Sequence, residues 1–139
     1  MIRAVVDPGV LVSALIGAPG NPPDRIVRAA LAGDLQLVVS PRLIGELAGV
    51  LARPRFEKQA AAGRAERYVA GIASAAEAFD DPPEQEMPLT PDPADDYLVA
   101  LARAARADVL VSGDGHLTGL ENADPPVLTP RELVERLDH

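Results

Sequence analysis

The chain has no cysteine and no tryptophan, a single lysine, Lys58, and two histidines, His116 and His139, among 139 residues. Without cysteine there is neither a disulfide nor a thiolate metal site, and two histidines are too few for an imidazole-rich one. No apolar run approaches the roughly 18 uninterrupted residues of a membrane-spanning helix. Met1-Ile2-Arg3 leads straight into a strand pattern rather than a secretory leader, so the expectation is a soluble, cytoplasmic protein with no membrane association. Positive charge is also scarce. A formal net charge of −8 excludes a protein that grips nucleic acid by neutralising many phosphates on a basic face. The length suits one domain over residues 1–139, large enough to bury about two-thirds of its unfolded surface.

Hydrophobic periodicity alternates between strand and helix. Ile2 to Val6 reads as a short buried strand, with a helical run over Val10 to Ile16. Gly17, Pro19, Gly20, Pro22 and Pro23 read as a loop, after which Asp24 is the expected cap of a helix over 25–32 that ends at Gly33. Leu35 to Val39 is the next strand candidate. Ser40 and Pro41 then form an N-cap and first-turn pair for a helix with Leu43, Ile44, Leu47, Val50 and Leu51 on one face. At about 100° per residue, Glu46 falls roughly 40° from Val50, at the edge of that stripe. Residues 56–79 are alanine-rich and helix-prone with a break near Gly63, and 80–88 are acidic and proline-rich, hence a loop. A helix from about Pro93 to Arg106, a strand over Asp108 to Val111, a short strand at Val127-Leu128 and a helix from Pro130 complete the chain. Strands alternating with helices imply a parallel sheet covered on both faces.

In such a sheet, ligands bind outside the carboxyl ends of the strands. Asp7 and Asp114 stand just past two of those ends, Asp96 opens a helix, and Glu46 rides on a helix that follows a third strand. Four acids without a basic partner in their motifs point to a divalent-cation site. Hard cations prefer carboxylate oxygens, and a metal-activated water can attack a phosphodiester in line. Each acid also has an ordinary structural reading. Asp7 before Pro8 fits a helix N-cap, Asp96 fits a first-turn acid, Glu46 a surface acid, and Asp114 between two glycines a turn residue. Asp92 is read as the cap of the helix opened by Pro93, with Asp95 at its third position. Arg53, Arg55, Lys58, Arg64 and Arg67 form a locally basic stretch that reads equally as a phosphate contact or as a solvated face beside Glu57 and Glu66.

Four stretches taken together carry a resemblance. Asp7 with Val10-Leu11-Val12-Ser13-Ala14, Val38-Val39-Ser40-Pro41 leading to Glu46, Asp92-Pro93-Ala94-Asp95-Asp96-Tyr97-Leu98-Val99-Ala100-Leu101-Ala102, and Val111-Ser112-Gly113-Asp114 resemble the four signatures of PIN-domain proteins, nearest to the toxin components of toxin–antitoxin systems related to VapC-type ribonucleases. The resemblance spans nearly the whole chain. It implies a three-layer α/β/α domain with a parallel sheet of about five strands. It also implies an acidic quartet of Asp7, Glu46, Asp96 and Asp114 holding Mg²⁺ or Mn²⁺, and an endoribonuclease that hydrolyses RNA. Its implied partners are an inhibitory antitoxin and a second copy in a homodimer.

One departure bears on activity. The family follows its first aspartate with a small residue and then Asn or Ser, which hydrogen-bonds within the carboxylate cluster, whereas this chain has Pro8 and Gly9. A weakened or silent PIN domain that binds RNA or protein is therefore the alternative expectation. His116, where relatives carry an acid or polar residue, reads as a surface histidine or a phosphate contact. A receiver-type phosphoacceptor domain also gathers aspartates at strand ends, but it needs a lysine near the last strand, and Lys58 lies in the helical middle.

Overall fold

The computed structural model describes residues 1–84, 89–90, 95–113, 115–120 and 123–139. In chain order the elements are β1 (Arg3–Val6), α1 (Pro8–Ile16), α2 (Pro22–Leu31), β2 (Gln36–Val39), α3 (Pro41–Leu51), α4 (Arg64–Ala75), β3 (Glu77–Ala78), α5 (Asp96–Ala104), β4 (Val109–Val111), α6 (Gly115–Thr118), β5 (Val127–Leu128) and α7 (Pro130–Leu137). A single turn of 3-10 helix, Pro54–Phe56, follows α3. The five strands are parallel and lie in the order β3-β2-β1-β4-β5. The fold is thus the three-layer α/β/α arrangement with five parallel strands.

The sheet order reverses at β1, which pairs with β2 on one side and β4 on the other. Right-handed crossovers put the connections on opposite faces on either side of such a reversal. Accordingly α1 to α4 pack on one another, α5 packs against β1 and β4, and α7 reaches α2 and β5. The three central strands, β1, β2 and β4, are buried on both faces, which is why they read as continuous apolar runs: Val5, Val38 and Leu110 are all 0% exposed. The reversal also opens a crevice between the carboxyl ends of β1 and β4.

Local chemistry sets most helix ends. Ser40 Oγ accepts from the Leu43 amide at 3.4 Å, and Thr129 and Glu132 form a reciprocal capping box on α7. Helix α2 corrects the sequence expectation at its start. It begins at Pro22 under an Asn21 cap whose side chain accepts from Asp24 N at 2.8 Å. The two prolines read as loop breakers occupy the first helical turn, where a missing N–H is not needed. At its end Gly33, at φ +83°, and Asp34 donate back to Ala30 and Ala29, the paired closure for which a left-handed glycine is favoured.

The middle of the chain is less helical than its alanine content implies. Residues 57–63 are turns, α4 starts only after Gly63, and β3 occupies Glu77–Ala78. Both β3 residues are exposed, so the strand has no apolar signature. Its place is fixed by pairing with Val38 and Val39 and by an Arg3–Glu77 ion pair. A two-residue edge strand also offers little template for foreign pairing. Asp92, Pro93 and Asp114 lie outside the described residues, as do 85–88 and the side chain of His116. The regular part of α5 begins at Asp96.

Candidate active site

Asp7 sits at the reversal point. Its backbone N–H donates to Val111 O at 2.9 Å. Its Oδ1 accepts from Gly9 N at 2.9 Å, capping α1, and its Oδ2 accepts from Ser112 Oγ at 3.0 Å. The capping reading of Asp7 is therefore correct, and it coexists with a position at the mouth of the crevice. Ser112 is fully buried and joins the end of β4 to the end of β1 through this contact. Sequence reasoning missed it, although a serine directly after a buried strand beside another strand-end acid was the available signal.

Glu46 and Asp96 are carried on two helices. Glu46, on α3, is half-exposed, and its Oε2 accepts from the Tyr97 hydroxyl at 2.8 Å. Asp96 opens α5, and its Oδ1 accepts from both the backbone N and the Oγ1 of Thr90 at 2.8 Å. Tyr97 links two of the acids, bonding Glu46 and lying within the field of Asp7. Burial, then the hydrogen bond and charge of Glu46, then the charge of Asp7 push its phenol well above the ordinary range, with Arg42 opposing. Tyr97 therefore stays protonated and remains a donor to Glu46 at neutral pH.

One expectation is corrected here. Glu46 does have a basic partner in its motif. Arg42, four residues earlier on α3, places Nε 3.5 Å from Glu46 Oε1, and its guanidinium carbon lies 4.2 Å from the centre of the Tyr97 ring. Asp81 accepts from Arg42 N with both oxygens at 3.2 Å, tying the segment after β3 to the start of α3. Arg42, Asp96, Tyr97, Pro82 and Pro83 line a cleft of about 260 Å³. A larger cavity of about 770 Å³ lies elsewhere, between α3 and α4, lined largely by apolar residues such as Leu51, Ala65 and Val69.

Arg53, Arg55, Lys58, Arg64 and Arg67 are all exposed, as the solvated-face reading expects, and three of them also make local contacts. Arg64 donates to Gln59 O at 2.9 Å and Leu15 O at 3.4 Å, Arg67 donates to Ala62 O at 2.9 Å, and Arg55 stacks on Phe56. Arg64 and Arg67 thereby hold the 57–63 turns onto α4. None of these arginines lines the cleft beside Asp96.

The PIN domain family model matches residues 3–116. The chain belongs to the PIN-domain family. PAE2754 from Pyrobaculum aerophilum has a similar structure, with a TM-score of 0.66 at 16% identity over 99% of this chain and 90% of that one. FitAcB from Neisseria gonorrhoeae gives a TM-score of 0.54 at 17% identity over 92% and 98%. FitAB bound to an IR36 DNA fragment gives 0.52 at 17% identity over 91% and 94%. These likenesses show the shared fold. No curated protein is significantly similar to the chain in sequence.

PIN domains are generally metal-dependent nucleases, which makes the donor set of this chain the relevant test. Asp7, Glu46 and Asp96 offer only carboxylate oxygens, the donors hard divalent cations prefer, and in that respect they fit. Among the described residues no group of three or more acids or histidines stands ready to hold a metal ion. The fourth expected acid, Asp114, lies outside those residues. Also among the described residues, no helix is long and apolar enough to cross a membrane.

Proposed function

We propose that this PIN domain, one domain over residues 1–139, is a Mg²⁺- or Mn²⁺-dependent endoribonuclease and the toxin of a toxin–antitoxin pair. It would act in the cytoplasm, as a homodimer held in check by an antitoxin. The observation that supports the reading is the Asp7–Ser112 contact at the reversal of the sheet, together with Glu46 held by Tyr97, the residue next to Asp96. Asp7, Glu46, Asp96 and Asp114 would hold the metal. When bound, the cation polarises the phosphoryl oxygens of the scissile phosphodiester as a Lewis acid.

The chain's own groups orient the acids. Gly9 N and Ser112 Oγ fix the two oxygens of Asp7, Thr90 fixes one oxygen of Asp96, and the Tyr97 hydroxyl aims Glu46. Each contact leaves lone pairs on its carboxylate for a further ligand. The partner reading rests on the toxin resemblance.

A second reading has its own support. With Gly9 lacking a side chain beside Asp7 and no three-acid group among the described residues, a catalytically silent PIN domain that binds RNA or protein is the alternative. RNA cleavage with Mn²⁺ and with chelator, using Asp7→Asn as control, separates the two. Metal-dependent cutting that is lost in the variant supports the nuclease. Folded protein that neither cuts RNA nor melts higher with Mn²⁺ supports the silent module.

A further inference from the structure

Arg42 occupies an unusual position in a chain of net charge −8. It is the one cationic side chain among the residues lining the 260 Å³ cleft beside Asp96. Its backbone is fixed in the first turn of α3, under the Ser40 cap and against Asp81. One face of its guanidinium lies on the Tyr97 ring, and its Nε makes a single contact to Glu46 at 3.5 Å, the long limit of a hydrogen bond. A committed arginine–carboxylate pair is shorter and usually bidentate. Nη1 and Nη2 make no hydrogen bond among the described residues, and the side chain is 45% exposed. The planar fork is thus held in orientation by stacking while its bidentate edge stays open.

We propose that Arg42 binds a backbone phosphate of single-stranded RNA entering this cleft, placing the strand beside Asp96. The inference rests on the ribonuclease reading and adds the residue that holds the substrate. A planar five-donor fork matches two phosphate oxygens in a way a carboxylate or phenol cannot. The contact also answers the electrostatic problem of the site, because an acidic cleft repels a polyanion unless a cation meets it. Pairing with Glu46 holds the arginine in place until the phosphate takes over its open edge.

The test uses the full chain, a fluorescein-labelled 12-nucleotide single-stranded RNA and chelator to prevent cleavage, with anisotropy read across a salt series. Arg42→Gln is expected to weaken binding about tenfold and to lower the slope of log K against log salt by about 0.7, the loss of one phosphate contact on a single strand. Arg42→Lys is expected to keep the slope while losing part of the affinity. Arg131→Gln, on α7, is expected to change neither. Melting curves confirm that each variant is folded. Equal affinity and slope in wild type and Arg42→Gln overturn the proposal and leave the ribonuclease reading untouched. Where wild type binds no RNA under chelation, dimethyl phosphate titrated against ¹⁵N-labelled protein decides. A shift of the Arg42 Nε–H resonance supports the site even if RNA cleavage fails, and a stationary resonance overturns it.

Discussion

The Tyr97 hydroxyl donates to Glu46 Oε2 at 2.8 Å, joining α5 to α3 across 51 positions of sequence. Tyr97 is 7% exposed, so its ring is held by packing and its hydroxyl aims a half-exposed carboxylate. Tyr97→Phe keeps the packing and removes the donor. The expected result is a loss of about 1 kcal/mol of stability and roughly a tenfold fall in kcat/KM for RNA, since a freed Glu46 samples several rotamers. Steady-state cleavage with thermal melting checks both, and an unchanged kcat/KM would remove Glu46 orientation from the account.

Gly9 is expected to accept asparagine. It lies within α1 outside the left-handed region, and a Cβ there would stand 3.5 Å from Asp7 Oδ1, an ordinary contact. The amide of Gly9→Asn then has Asp7 within reach, restoring the polar neighbour common in the family. Supporting hydrogen bonds of this kind change metal affinity or activity by about 10- to 100-fold, so Mn²⁺ affinity by calorimetry should rise at least toward the lower figure. No gain would show that Gly9 is no defect.

Asp24 is expected to make stability pH-dependent at the acid end. Its carboxylate accepts from Gly20 N and from Arg28 Nε, each at 2.9 Å, and these contacts, the backbone one foremost, hold it below its ordinary value despite burial. A depressed folded value means that the contribution is complete above the unfolded value of about 3.9 and is lost as pH falls through the folded one. Asp24→Asn should therefore melt a few degrees below wild type at pH 6, and the gap should close as pH falls through the lowered folded value. A gap that persists in acid would assign the effect to geometry rather than charge.

Arg106 is expected to be improved by glycine. It closes α5 at φ 54°, with its N–H bonded to Arg103 O and that of Ala107 to Ala102 O. A side chain in the left-handed region costs about 1–2 kcal/mol, and glycine recovers only part of this because its unfolded chain is freer. Arg106→Gly should raise stability by about 1 kcal/mol with RNA cleavage unchanged. Denaturant melts at matched m-values test this, and a lower midpoint would count against strain at this turn.

Much of the molecule was legible because its signals are local. The caps show this best: Ser40-Pro41 announced α3, and Pro130 marked the start of α7, where the structure adds a box between Thr129 and Glu132. Asp7 at the end of β1 followed from the parallel-sheet reading alone. Pro22 and Pro23 were misread because proline both breaks and begins helices, although the deciding Asn21 cap, three residues from Asp24, was as local a signal as Ser40.

What the sequence by itself determined was the alternation of strands and helices, the end points that caps and glycines dictate, and the presence of acids at strand ends. These depend on neighbours within a helical turn, where periodicity and hydrogen-bond donors decide. Only the tertiary structure decided that exposed Glu77–Ala78 is a strand, that Ser112 holds Asp7 across 105 positions, and that Arg42 stacks on Tyr97 while facing Glu46. Those outcomes depend on the strand order and the reversal at β1, and no local pattern encodes which distant edges a folded sheet will bring together.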